Sequence, residues 1–176
     1  MGDWPLNEQI IAPVLSTESI YSYGGLMFSH TLNGTASAGW SSGNRAVYIP
    51  FVLPCPFVVR SIWAFNGATA AGNIDLGVLS QDGSLIFSIG TTAQAGTNAF
   101  QIVTVTERVL SPGPYYFACV NSGSTGTFFR HTYGNAGKVV GGCLQAASQL
   151  PLTSNPTWAT ITDNVPVMGI SSLTSF

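Results

Sequence analysis

After Arg45 the apolar and polar residues of the chain alternate with a period of two, and no stretch repeats with the period of an amphipathic helix. Val47-Tyr48-Ile49 runs into Phe51-Val52-Leu53. Pro50 and Pro54 confine that strand to an edge or a bend, because proline has no N–H to give a ladder. From Phe57 to Phe65 the alternation sets Phe57, Val59, Ser61, Trp63 and Phe65 on one face and Val58, Arg60, Ile62 and Ala64 on the other. Both faces are largely apolar, so this strand is expected to be buried on both sides, with Trp63 in the core. Ile74, Leu76 and Val78 then point one way, and Asp75, Gly77 and Leu79 the other. Asp82-Gly83, between Val78-Leu79 and Leu85-Ile86-Phe87, predicts a hairpin, since both residues tolerate the positive φ of a tight turn.

Further strands are expected at Phe100 to Val105, at Tyr115 to Val120 after the break Ser111-Pro112-Gly113-Pro114, and at Thr127 to Arg130. Val165 to Ile170 closes the sheet. The stretch 134–162 is poor in regular pattern and carries Pro151 and Pro156, which predicts a long excursion with one turn of helix around Leu144 to Ser148. Short strands at roughly even spacing without an amphipathic helix predict an all-β fold. A two-sheet antiparallel β-sandwich, jelly-roll-like, comes first, and an immunoglobulin-like sandwich second. Residues 41–176 form this domain. Residues 1–40 differ in texture, with isolated apolar residues punctuated by Trp4-Pro5 and Ala12-Pro13, and read as an extended N-terminal arm. Trp4, Ile10, Ile11, Val14 and Leu15 give that arm an apolar character that suits an assembly interface.

Composition narrows the function classes. Five Lys+Arg and seven Asp+Glu make 7% of the 176 residues, with a formal net charge of -2. An average soluble domain carries about a quarter. Five scattered cations cannot neutralise a useful run of phosphates, so nucleic-acid binding by charge is not expected. The aromatic content, 11%, speaks against disorder. No stretch has the length of uninterrupted apolar sequence that a membrane helix requires, and no secretory leader is visible. Cys55, Cys119 and Cys143 are odd in number and show no metal-ligand spacing, which suits free thiols in a reducing cytosol.

Catalytic material is scarce. His30 and His131 have no acidic residue within three positions, and no GxSxG elbow accompanies the serines. Asp75, Asp82, Glu107 and Asp163 could supply a glycosidase pair. Asp82 and Asp163 are more simply turn residues, and Glu107 beside Arg108 a solvated strand end. The same aspartates leave a calcium site open, without an Asp-rich loop to build one. The glycine runs 123–126 and 137–142 lack the phosphate-loop pattern. No catalytic residue, metal ligand or cofactor is therefore expected. Trp40, Tyr133 and Trp158 lie near loops and could form a sugar-stacking platform; packing in the core or at an interface is the simpler reading.

The run Arg45-Ala46-Val47-Tyr48-Ile49-Pro50-Phe51-Val52-Leu53-Pro54 is followed by Phe57-Val58-Val59-Arg60-Ser61-Ile62-Trp63, Asn73 to Leu79, Asp82-Gly83 and Leu110-Ser111-Pro112-Gly113-Pro114-Tyr115-Tyr116. This pattern resembles the β-sandwich domain that recurs in bacteriophage virion proteins, among them head decoration (cement) proteins, head fibres and tail-fibre tips. The resemblance implies a non-enzymatic protein, a symmetric homo-oligomer, usually a trimer, assembled in the host cytoplasm and fixed on the virion. Its partner would be the major capsid protein, gripped through the arm. The chain has no collagen-like or coiled-coil stalk, which weakens the fibre reading. A receptor- or glycan-binding module directed at a host surface glycan is the alternative.

Overall fold

The computed structural model describes residues 22–24, 36–40, 42–131 and 134–175. Its strands, in chain order, are β1 (Ser22–Gly24), β2 (Ala36–Gly39), β3 (Arg45–Leu53), β4 (Phe57–Phe65), β5 (Asn73–Ser80), β6 (Leu85–Ser88) and β7 (Thr92–Ala93). They continue with β8 (Phe100–Leu110), β9 (Gly113–Asn121), β10 (Thr127–His131), β11 (Leu144–Ala146), β12 (Ala159–Thr160), β13 (Val165–Pro166) and β14 (Met168–Ser171). One short helix, α1 (Asn135–Val140), separates β10 from β11. The order β1-β14-β4-β8 makes one sheet, β13-β10-β2 a second, and β12-β11-β3-β9-β5-β6 a third, with β7 against β5. Every pairing is antiparallel.

The all-β sandwich expected from the alternation is present. An isolated bridge between Asn66 and Phe128 joins the first two sheets into one layer. That layer packs on the third sheet through a core that takes Val47, Ile49, Phe51, Ile74, Leu76, Val78, Phe117 and Cys119 from one side and Val59, Ile62, Ala64, Phe128, Met168 and Ile170 from the other. Phe51 and Phe117 stack with ring centroids 3.8 Å apart at its centre. The Asp82-Gly83 hairpin joins β5 to β6, with Gly83 at φ 90°. Asp82 caps it by accepting from the Ser84 amide (3.1 Å) and the Ser80 hydroxyl, and these donors hold its carboxyl below the usual range.

Several expectations are corrected. Strict alternation along β4 fails because the β4–β8 register shifts between Val59 and Ser61. Val59 on one side of the irregularity and Ile62 on the other both enter the core, so Arg60 and Ser61 both turn away from it. Trp63 is buried, yet on the face opposite the inter-sheet core, since its neighbours Ile62 and Ala64 occupy that core. Strand β8 runs past Val105 to Leu110, because the irregularity lets it carry Glu107 and Arg108 without losing its pairing to β4. Pro50, by contrast, lies where β3 is an edge, as expected: β11 stops opposite Tyr48, so no ladder bond from β11 is asked of the proline. The helical turn lies at Asn135–Val140, whereas Leu144–Ala146 is the strand β11, recruited by pairing with Ala46 to Tyr48. Val165 to Ile170 is shared between β13 and β14, which belong to different sheets. Ser22–Gly24 and Ala36–Gly39, within the stretch read as arm, pair with β14 and β10 and so lie in the sheets.

The excursion is a third layer. Ala46, Tyr48, Leu79, Ala118 and Val120 point away from the main core, Ala146 and Leu144 of β11 extend the same face, and Leu152, Leu150 and Trp158 pack against it. Asp75, fully buried on this same face, pins the layer: its Oδ2 accepts from the Leu152 amide at 2.9 Å, while its Oδ1 finds no partner among the described residues. Burial raises the Asp75 carboxyl above its ordinary value of 3.8, against the pull of the Leu152 amide and of the nearby Ser88 side chain and Gly90 and Ile89 amides.

A raised folded value means that the native state holds this proton more tightly than the unfolded chain does. The stability owed to Asp75 is therefore greatest in acid and falls as pH rises from 3.8 through the folded value. Asp75→Asn keeps an acceptor for Leu152 and removes the ionisation. Thermal melts over the acid-to-neutral range should show the variant gaining on the wild type as pH rises above 3.8. A constant difference across the range refutes this.

Candidate functional site

The face of the first layer turned away from the core carries a ladder of aromatic rings. Phe129 follows the core residue Phe128 on β10, and Phe65 follows Ala64 on β4, so both project outward. Phe65 stacks on Phe129 at 4.4 Å and on its cross-strand partner Phe100 at 4.6 Å, with interplanar angles of 11° and 16°. Trp63 meets Phe100 edge-on at 5.4 Å. Phe100, at the end of the ladder, is 40% exposed, and Val109 farther along β8 is 63% exposed. Phe65 uses both of its flat surfaces in this stack, and Phe100 and Phe129 use one each. They therefore offer a neighbour an apolar ridge rather than a platform for a pyranose.

A chain of side-chain amides holds this end of the sandwich rigid. Asn66 Nδ2 donates to Gln101 Oε1 (3.0 Å) and to the Ala95 carbonyl (2.6 Å). Gln94 Nε2 donates to Asn66 Oδ1 (3.0 Å) and the Thr127 carbonyl (2.9 Å), and Gln94 Oε1 accepts from Asn121 Nδ2 and the Ala71 amide, both at 3.1 Å. Gln101 and Asn121 extend the chain to the backbone at Ala93, Ala95, Ala71 and Gly123. The loops 67–72, 94–99 and 122–126 are thereby tied together without a charge. Gly126 is required here, because a Cβ would collide with Gln94 Oε1 and the Ala71 carbonyl.

The residues singled out from sequence fall elsewhere. Trp40 cannot contact a glycan: it is 2% exposed, packs edge-on against Phe128 at 5.3 Å and donates from Nε1 to the Arg45 carbonyl at 2.6 Å. Sequence placed it near a loop, and the pairing of β2 with β10 draws it inward. Trp158 is half-buried beside Tyr116 (5.3 Å) and Tyr48 (6.2 Å) on the excursion layer. Trp4, Ile10, Ile11, Val14, Leu15, His30 and Tyr133 lie outside the described residues, as does the side chain of His131. Nothing in the local sequence marks Phe65, Phe100 and Phe129 as one surface. Their cross-strand adjacency depends on the β4–β8 register and the Asn66–Phe128 bridge, which no local pattern announces.

Among the described residues the titratable groups fall in small separate sets, of which Lys138 with Asp163, Cys143 and Arg130 is one. Glu107 pairs with Arg60 across the strands at 2.7 Å, and Arg108 lies over the Phe87 ring at 4.7 Å while donating to the Ile86 carbonyl. Asp163 accepts from the Asn164 amide through Oδ1 (2.8 Å), and its carbonyl accepts from buried Lys138 Nζ at 2.7 Å. Burial lowers the Lys138 ammonium, against the attraction of Asp163. It pushes the Cys143 thiol up to about 12 and the Cys119 thiol well above its ordinary value, so both stay protonated and poorly nucleophilic. Among the described residues no group of three His, Cys, Asp or Glu side chains could hold a metal ion, and no helix is long and apolar enough to cross a membrane.

Set against known proteins, the chain matches no protein-family profile and no curated sequence.

Truncating Gln94 strips partners from Asn66, Asn121, the Ala71 amide and the Thr127 carbonyl at once. Gln94→Ala should cost about 3 kcal/mol in urea unfolding. A loss below about 1 kcal/mol would mean that water replaces the amide and that the network is not the frame of this surface.

Proposed function

We propose that the chain is a non-enzymatic structural subunit of a bacteriophage particle, a decoration (cement) protein that holds to the head through its arm and through symmetric contacts between copies. The observation that carries this reading is the outward aromatic ladder, rigidly framed and ending in a 40% exposed Phe100, on a chain with 7% charged residues. Ridges of this kind associate by burying apolar area, and contacts without ions avoid the desolvation of charge and are insensitive to salt.

The glycan-binding alternative retains only Trp158 of its three aromatics among the described residues with an exposed part. Its indole is engaged by Tyr48 and Tyr116, which suits a layer-closing role better than a sugar platform.

Deleting residues 2–20 discriminates between the two. A decoration protein should keep its β-rich circular dichroism and lose binding to heads built from the major capsid protein. Retained head binding, or a strong glycan-array signal that Trp158→Ala abolishes, would favour the module over the cement.

A further inference from the structure

We propose that β8 is a self-association edge, at which a second copy of this chain lays its own β8 antiparallel to the first across a two-fold axis. The inference rests on the reading of the chain as an assembly subunit and deepens it by naming the strand that assembles.

Edge strands present unpaired backbone groups, and proteins blunt them by keeping them short or by placing charges and prolines on them. Here β1, β2, β6, β7, β12 and β13, which margin the three sheets, are each two to four residues long. Strand β8 is the exception. It has eleven residues, and among the described residues no strand lies on its far side. From Phe100 to Thr106 it reads Phe-Gln-Ile-Val-Thr-Val-Thr, without charge, proline or glycine. All but the glutamine are aromatic or β-branched. An uncharged run of this kind on an open margin adds a further strand readily. Both charges of β8 lie beyond that run and are engaged: Glu107 pairs with Arg60, and Arg108 donates to the Ile86 and Thr106 carbonyls. The irregularity in the β4–β8 ladder lies beyond Thr104, so the preceding stretch, paired from Phe65–Phe100 to Ser61–Thr104, is regular.

The occupant follows from complementarity. A strand edge matches only another extended strand, and a two-fold axis normal to the sheet sets the outward N–H groups of one β8 against the outward C=O groups of the other, and the reverse. A net charge of -2 spread over the chain offers little repulsion between copies. The product is one continuous sheet, β1-β14-β4-β8 joined to the same order reversed. Because the axis is normal to the sheet, the two aromatic ladders come to lie on the same face, doubling the ridge available to a particle.

Sedimentation of the full chain up to high micromolar concentration should give a dimer or an even multiple of it. Thr104 and Thr106 are exposed, and Thr104→Lys with Thr106→Lys should weaken self-association about a hundredfold while leaving the melting temperature nearly unchanged. Hydrogen exchange on the wild type reads the same edge without relying on the variant's folding. Backbone amides within Ile102 to Thr106 should become better protected as concentration rises, and the Lys substitutions should abolish that dependence. A wild type that stays monomeric, an odd-numbered assembly such as a trimer, or an even assembly with concentration-independent exchange at these amides overturns the proposal. A trimer that still loses head binding on deletion of residues 2–20 would sink the edge and leave the assembly reading standing. An edge dimer with no affinity for heads would do the reverse.

Discussion

The third sheet is buried on both of its faces, and that constraint shapes most of the chain. Its inner face meets the other layer through Phe51, Phe117, Ile74 and Leu76, and its outer face is roofed by Leu152 and Trp158 from the excursion. A sheet enclosed in this way needs strands that are apolar at nearly every position, as the eight-residue β5 shows with buried residues from Ile74 to Leu79. It also leaves no water for a polar group set within it. Asp75 is therefore committed to the Leu152 amide and the Tyr48 hydroxyl to Gln149, at 3.2 Å. The same burial raises both groups above their ordinary ionisation range.

How much of this the sequence discloses depends on whether the information is local. The Asp82-Gly83 hairpin is local: two turn residues between apolar runs fix it, and the structure places it there. The two-sided burial of β4 is likewise legible, since Val59, Ser61, Ile62, Trp63 and Ala64 leave no polar stripe for solvent. Where ladders joining distant segments decide, the pattern misleads. Nothing near Arg60 marks the reset of alternation, because it is set by how β8 pairs across the strand. Leu144 to Ala146 has the residues of a helical turn, yet the backbone of β3 is available beside it, and tertiary pairing overrides propensity. Trp40 sits among Gly, Ser and Asn in sequence and reads as a loop residue until β2 pairs with β10. The ladder of Phe65, Phe100 and Phe129 joins residues up to 64 positions apart in the chain, beyond the reach of any periodicity.

Scarcity of charge runs through the polar chemistry as well. Where another protein would hold its loops with ion pairs, this one uses neutral amides. The series Gln101, Asn66, Gln94 and Asn121 satisfies its members reciprocally and closes three loops with directional bonds. Neutral donors and acceptors cost less to desolvate than ions, so such a frame can stand beside an apolar ridge without opposing its burial. The ion pair that the described residues form on the outward face, Arg60 with Glu107, lies along the strands from the ladder, not within it.

The two layers are consequently unequal. The third sheet is closed on its outer face by the chain's own excursion, with Val52 of β3 left exposed. The first sheet has the short strand β1 at one margin and the long strand β8 at the other, with Phe100 and Val109 exposed along it. An enzyme or a receptor module built on a sandwich is expected to gather its distinctive groups in loops at one end of the sheets. Here the loops at the framed end are small and uncharged, and exposed apolar residues stand on β8 (Phe100, Val109), on β3 (Val52) and on α1 (Val139, Val140) instead. That distribution suits surfaces that meet other extended surfaces. It is the physical reason an assembly subunit is preferred here over a binding site for a small ligand.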